Sequence, residues 1–135
     1  MSRENVEVVR RCVDALNDRD AQSYLSYCTS DVELIPATVA VEGAYLGASG
    51  IRRFFIDLQD TAPDFRLEIE RLEALASGAV LSFERGSATG RASGITFEEQ
   101  GIPFGTVYEF AEGRVARIRV FADRQKALEA VGLRE

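Results

Sequence analysis

Glu84 and Arg85 stand side by side in the alternating run Ala79–Thr89, and Tyr108 stands in a second such run, Thr106–Phe110. Successive side chains of an extended strand point to opposite faces, so one of Glu84 and Arg85 faces the interior and the other faces away. The apolar pair Leu81 and Phe83 shares its face with Arg85, which argues for Arg85 inward; Ser82 shares its face with Glu84. The residues alone leave both arrangements open. A carboxyl held in an apolar interior ionises less readily than in water and becomes a general base close to neutral pH. A tyrosine nearby can donate a hydrogen bond to a developing enolate. Both also have a plain structural use, as a sheet-surface ion pair and as an amphipathic core tyrosine.

The composition narrows what else could do chemistry. Among 135 residues there is no histidine, which removes histidine triads, histidine bases and histidine-rich zinc sites together. Cys12 and Cys28 are too few for a cysteine-only zinc site and read as two buried, reduced thiols in helical patterns. Neither GxGxxG nor a phosphate-loop motif is present, so no cofactor and no metal are expected. A net charge of −6 argues against a nucleic-acid surface. No apolar run reaches membrane-spanning length and nothing at the N-terminus reads as a signal peptide, so a cytoplasmic chain is expected.

The length fits one domain, residues 1–135. Ser2 to about Leu16 has helical spacing, Asp20 caps a short helix Ala21–Cys28, and a strand Asp31–Ile35 stops at Pro36. Ala37–Gly47 reads as a loop with a short strand at Ala44–Leu46. A third helix, Ile51–Gln59 with Ser49 as N-cap, buries Ile51, Phe54, Phe55 and Leu58. From Phe65 the period becomes two. Phe65, Leu67, Ile69, Arg71 and Glu73 share one face of a long strand. Ala79–Thr89 follows, then a turn at Arg91–Gly94, a strand Ile95–Glu99 whose Glu98 and Glu99 form a solvated rim, and an interruption at Gln100–Pro103. Thr106–Phe110 and Val115–Phe121 form a hairpin joined through Glu112-Gly113-Arg114. Ala116, Ile118 and Val120 share one face; Val115, Arg117, Arg119 and Phe121 share the other. Asp123 caps a last helix, Arg124–Val131, closed by Gly132. The expected class is α+β: a curved antiparallel sheet wrapped around three N-terminal helices, with a short C-terminal helix.

The segments VVRRCVDALNDRDAQSYLSYCTSDVEL, YLGASGIRRFF and YEFAEGRVARIRVFADRQKALEAVGL, in this order and spacing, resemble the nuclear-transport-factor-2-like superfamily. Within it they are similar to the SnoaL-like polyketide cyclases and ketosteroid isomerase. The resemblance implies a cystatin-like cone with an apolar pocket, often dimeric through the sheet, and places Ser82 and Glu84 inward. The family's catalytic residues do not carry over. The position of the isomerases' helix tyrosine holds Cys12, that of their aspartate base holds Pro36 (with Thr38 nearest otherwise), and that of their second aspartate falls near Thr106. The cyclases' aspartate position falls at Thr106 or Val107.

The expected site is therefore Glu84 and Tyr108 as catalytic pair, with Arg85 the alternative inward residue. Leu34, Phe54, Phe55, Ser82, Thr106, Tyr108, Ile118 and Val120 are expected to line the pocket. The ligand is a small hydrophobic molecule, and a homodimer is expected through Arg117, Arg119 and Phe121. Two functions stay open: metal-free acid–base catalysis of isomerase, cyclase or lyase type on an apolar cyclic or polyketide-like substrate, and non-catalytic binding or sensing of a small hydrophobic ligand. A third, a protein-interaction role for the sheet face, has no attached domain to support it.

Overall fold

The computed structural model describes residues 2–36, 43–88, 91–92, 95–96 and 101–133. In chain order these form α1 (Ser2–Asn17), α2 (Ala21–Ser26), β1 (Cys28–Ile35), β2 (Tyr45–Leu46), α3 (Gly47–Thr61), β3 (Arg66–Ala74), β4 (Val80–Ser87), β5 (Arg91–Ala92), β6 (Ile95–Thr96), β7 (Ile102–Ala111), β8 (Arg114–Phe121) and α4 (Arg124–Ala130). Thr38, the end of the Arg91–Gly94 turn, and Glu98 and Glu99 lie outside the described residues. Six strands join in the order β2-β1-β8-β7-β4-β3, and β5 pairs with β6 apart from them.

Helices α1, α2 and α3 cover one face of the sheet, its inner face. Val9, Cys12 and Leu16 of α1, Tyr24 of α2, and Ile51 and Phe55 of α3 pack there with Val32, Leu34, Val80, Tyr108, Val115 and Ile118. The rings of Tyr24 and Phe55 meet edge-on, 5.3 Å apart. Helix α4 lies on the other, outer face, where Ala127 and Leu128 pack on Leu81 and Val107. Gly105 makes that contact possible: a Cβ there would stand 2.6 Å from the Ala127 Cβ. Among the described residues no helix is long and apolar enough to cross a membrane.

The structure corrects several sequence expectations, each time because a partner strand decides what local pattern cannot. The sheet is mixed, since β1 runs parallel to β8. That ladder takes the Val115 N–H onto the Tyr27 carbonyl and pairs Cys28 with Val115, so α2 stops at Ser26 and Cys28 begins a strand. Helix α3 starts at Gly47, whose φ of +68° turns the chain out of β2; Leu46 occupies the N-cap without a capping side chain, and Ser49 is inside the helix. Pro103 belongs to β7, opposite Arg85. It lies beyond the last β7–β8 pair, Gly105↔Phe121, so its missing N–H costs no bond on that side.

Two register shifts bend the sheet and move side chains between faces. In β8 the pairs Phe110↔Val115 and Glu109↔Arg117 leave Ala116 extra, which puts Val115, not Ala116, inside with Ile118. In β3 the pairs Ile69↔Glu84 and Arg71↔Phe83 leave Glu70 extra, so Leu72 rather than Arg71 joins Leu67 in the core. The β7–β8 turn itself is as read: Glu112 and Gly113 both have positive φ, 54° and 81°, the geometry of a tight hairpin turn.

Candidate functional site

Strands β4 and β7 bring four polar side chains together on the inner face. The ladder pairs Val80 with Tyr108, Ser82 with Thr106 and Glu84 with Phe104, so the inward residues of both strands interleave. Glu84 is 2% exposed and its carboxyl accepts three hydrogen bonds. Thr106 Oγ1 donates to Oε1 at 2.9 Å, while Ser82 Oγ and the Tyr108 hydroxyl donate to Oε2 at 2.8 Å and 2.9 Å. Burial raises the Glu84 pKa above the usual carboxylate value, and the bonds from Ser82, Tyr108 and Thr106 only partly oppose it. Tyr108, 4% exposed, is pushed up by burial and then by the Glu84 charge, so it stays a neutral donor.

Two further groups look onto this cluster. Tyr24 is buried and its pKa is raised, chiefly by burial. The Cys12 thiol is raised by its hydrogen bond with Cys28 and by burial, and both cysteines are reduced and buried. Cys28 Sγ donates to the Tyr24 carbonyl at 3.3 Å. A carboxyl with three hydroxyl donors, in a shell of aromatic and thiol groups, can take up a proton and hand it back; it is poorly placed to hold a permanent charge.

Every residue expected to line an inner pocket lies on this face. Leu34, Phe55, Ser82, Thr106, Tyr108 and Ile118 are buried, and Phe54 and Val120 are half-buried against the same core. Arg85 does not: it points outward, where its Nε donates to Glu70 at 2.7 Å, so the alternative of an inward Arg85 is wrong. Leu81 and Phe83 share its face because α4 gives the outer surface an apolar core of its own. Cys12 and Thr106 are inside, Pro36 follows β1, and Val107 faces α4.

On the outer face Arg117 pairs with Glu33 at 3.2 Å and Arg119 with Glu109 at 2.8 Å, while Phe121 packs beside α4. A groove of about 580 Å³ there, walled by Leu75, Val107, Arg119, Val131 and Leu133, contains neither Glu84 nor Tyr108. Sequence reasoning missed Glu70 and Arg124. Arg124 Nη2 reaches Glu70 at 2.6 Å and the carbonyl of Glu84 itself at 2.9 Å. The available signal was a cation at the first position of α4, where the helix dipole disfavours one.

A family model for the SnoaL-like domain matches residues 9–118. Among solved structures, a cystatin-fold protein from Novosphingobium aromaticivorans is 23% identical, with a TM-score of 0.71 over 90% of this chain and 98% of its own. A putative SnoaL-like polyketide cyclase from Jannaschia sp. CCS1 is 20% identical, with a TM-score of 0.72 over 89% and 85%. TerC, co-crystallised with polyporic acid, is also 20% identical, with a TM-score of 0.72 over 89% and 92%. These likenesses carry the fold. No curated protein sequence matches the chain.

Proposed function

The chain belongs to the SnoaL-like domain family, and from that premise we infer that it binds a small apolar cyclic or polyketide-like ketone or enol and moves a proton on it. The chemistry is of the isomerase, cyclase or lyase type, with Glu84 as general base. The observation that carries this reading is the buried Glu84 carboxyl, held by three hydroxyls with its pKa raised. A base of raised pKa is matched to abstracting a weakly acidic proton next to a carbonyl. The likeness to TerC, co-crystallised with polyporic acid, supports a small organic ligand.

The hydrogen-bond pattern supports one order of events. In the resting state the Tyr108 proton is turned toward Glu84. As the Cα–H bond of the substrate breaks and its proton forms an O–H bond on Glu84, the carboxyl becomes a donor. It then donates to the Tyr108 oxygen, which frees the Tyr108 proton to bond the enolate oxygen. Return of the proton from Glu84 to a different carbon completes an isomerisation. No metal or cofactor enters these steps, because the carboxyl carries the proton and the hydroxyl meets the charge.

One observation favours a second reading, binding or sensing without catalysis: the carboxyl is already fully engaged, and the family's catalytic positions hold Cys12, Pro36 and Thr106. The two separate on α-proton exchange. With 2-tetralone as probe in deuterated buffer at pH 8, proton NMR should show the protein accelerating exchange. Glu84→Gln should lose about 100-fold or more of that rate while saturation-transfer signals from the bound probe persist. Binding without acceleration across a panel of such ketones would make the sensing reading the better one.

A further inference from the structure

We propose that Arg124 is a positioning residue for Glu84, locking its strand from the outer face and laying a cation behind the buried carboxyl. Three elements distant in sequence converge there. The extra residue of the β3 bulge is Glu70, and the bulge stands at the ladder pair Ile69↔Glu84. Alternation from Ile69, which faces inward opposite Glu84, turns Glu70 outward, where it meets Arg85 at 2.7 Å and Arg124 at 2.6 Å; the bulge then keeps Arg71 on that outer side and returns Leu72 to the core.

Arg124 then reaches past Glu70 to the sheet itself. Nη2 donates to the carbonyl of Glu84 at 2.9 Å and Nε to that of Phe104 at 3.2 Å. Glu84 and Phe104 are ladder partners, so one guanidinium spans the pair that sets the β4–β7 register beneath the three-hydroxyl cluster. The guanidinium also lies over the Phe83 ring, 5.0 Å from its centroid, which fixes its plane. Glycine at position 105 lets the first turn of α4 come this close, since a Cβ there would stand 3.3 Å from the Arg124 Cα.

The electrostatic consequence has a definite sign. Arg124 favours the ionised form of Glu84, against the larger effect of burial. Among the described residues, the other titratable groups facing that carboxyl are Cys12 from α1, Tyr24 from α2 and Tyr108 from β7, and all three are neutral at ordinary pH. Among the described residues Arg124 is thus the charge that acts on Glu84, delivered through the sheet from the outer face. A ligand on the inner face meets the carboxyl without meeting a guanidinium.

The inference rests on Glu84 being the titrating group of the site, but its test requires no turnover. Carbon-13 carboxyl NMR of glutamate-labelled protein, with the Glu84 signal assigned by its loss in Glu84→Gln, gives the Glu84 midpoint directly. Arg124→Gln should move that midpoint further upward, and Arg124→Lys, which keeps the charge but not the fork, should return most of the shift. If the wild-type midpoint lies in the ordinary glutamate range, the reading of Glu84 as a base fails. If it is raised in the wild type but the same in Arg124→Gln and Arg124→Lys, this inference fails while that reading stands. Should Arg124→Gln not fold, Arg124→Met is the neutral variant read in its place: a Glu84 midpoint above that of wild type supports the charge role, and one within experimental error of wild type overturns it.

Discussion

Glu84→Gln should make the protein more stable, and only on the alkaline side. The amide fits the existing bonds: its oxygen, placed at the Oε2 position, accepts from Ser82 and Tyr108, and its NH₂ donates to Thr106 Oγ1. No bond is lost, so at low pH, where Glu84 is neutral in both folded and unfolded chains, the two proteins should match. The folded-state pKa of Glu84 is raised, so folding holds a proton that the unfolded chain releases. The wild type therefore loses stability as pH rises from about 4.3, the unfolded glutamate value, through the folded-state midpoint. Each unit of elevation corresponds to about 1.4 kcal/mol, and for a chain of this size each kcal/mol moves the melting temperature by about 3–5 °C. Glu84→Ala is the contrasting variant: it strands three buried hydroxyl donors at about 1–3 kcal/mol for each one left unsatisfied, and destabilises at every pH. The assay is urea unfolding from pH 4 to 9, read as variant minus wild type so that other carboxyls cancel. A flat difference for Glu84→Gln would refute the raised ionisation. A wild type gaining stability over Glu84→Gln as pH rises would reverse its sign.

Gly105→Ala should push the first turn of α4 off the sheet, because its Cβ would stand 2.6 Å from the Ala127 Cβ; a loss of about 1–3 kcal/mol in urea unfolding checks it. Arg19→Ala should cost about 2–4 kcal/mol in the same assay, since that guanidinium donates to the carbonyls of Leu16, Ala62, Pro63 and Phe65 and so ties α1 to the end of α3 and the start of β3. A homodimer through the outer face, at Arg117, Arg119 and Phe121, is our further expectation: these residues put the aromatic and arginine mixture of a partner-facing surface on the outer side of β8. Light scattering at micromolar concentration should then give twice the chain mass, falling to one in Arg119→Glu; a wild-type monomer would contradict it.

What the sequence could tell depended on how local each cause is. Asp20 and Asp123 cap their helices by accepting from Ser23 N and Gln125 N, and the Glu112-Gly113 turn follows from two residues, so these were readable. The change from helical to alternating period near Phe65 gave the α+β class. The parallel β1–β8 pair and the extra residues Glu70 and Ala116 were not readable, because a bulge is a property of two strands counted against each other. The same limit governed the site. Leu81 and Phe83 look like core and are core, but of the outer face, under α4. Only the family resemblance favoured Glu84 inward. The three hydroxyls around it were visible as residues, Ser82, Thr106 and Tyr108, but their convergence needed the β4–β7 register. Arg124 looked like an ordinary helix residue, and its role depends on Glu70, more than fifty positions earlier in the chain.

The central claim, that Glu84 is the base of an acid–base site, is tested most directly by one pH profile. The rate of α-proton exchange on 2-tetralone is measured from pH 4 to 9 and overlaid on the carboxyl titration of Glu84 in the same protein. The account predicts a rate that rises with the ionisation of a single group, with a midpoint above the ordinary glutamate range and coincident with that of Glu84. A rate independent of pH, or one that follows the same curve in Glu84→Gln, would contradict it.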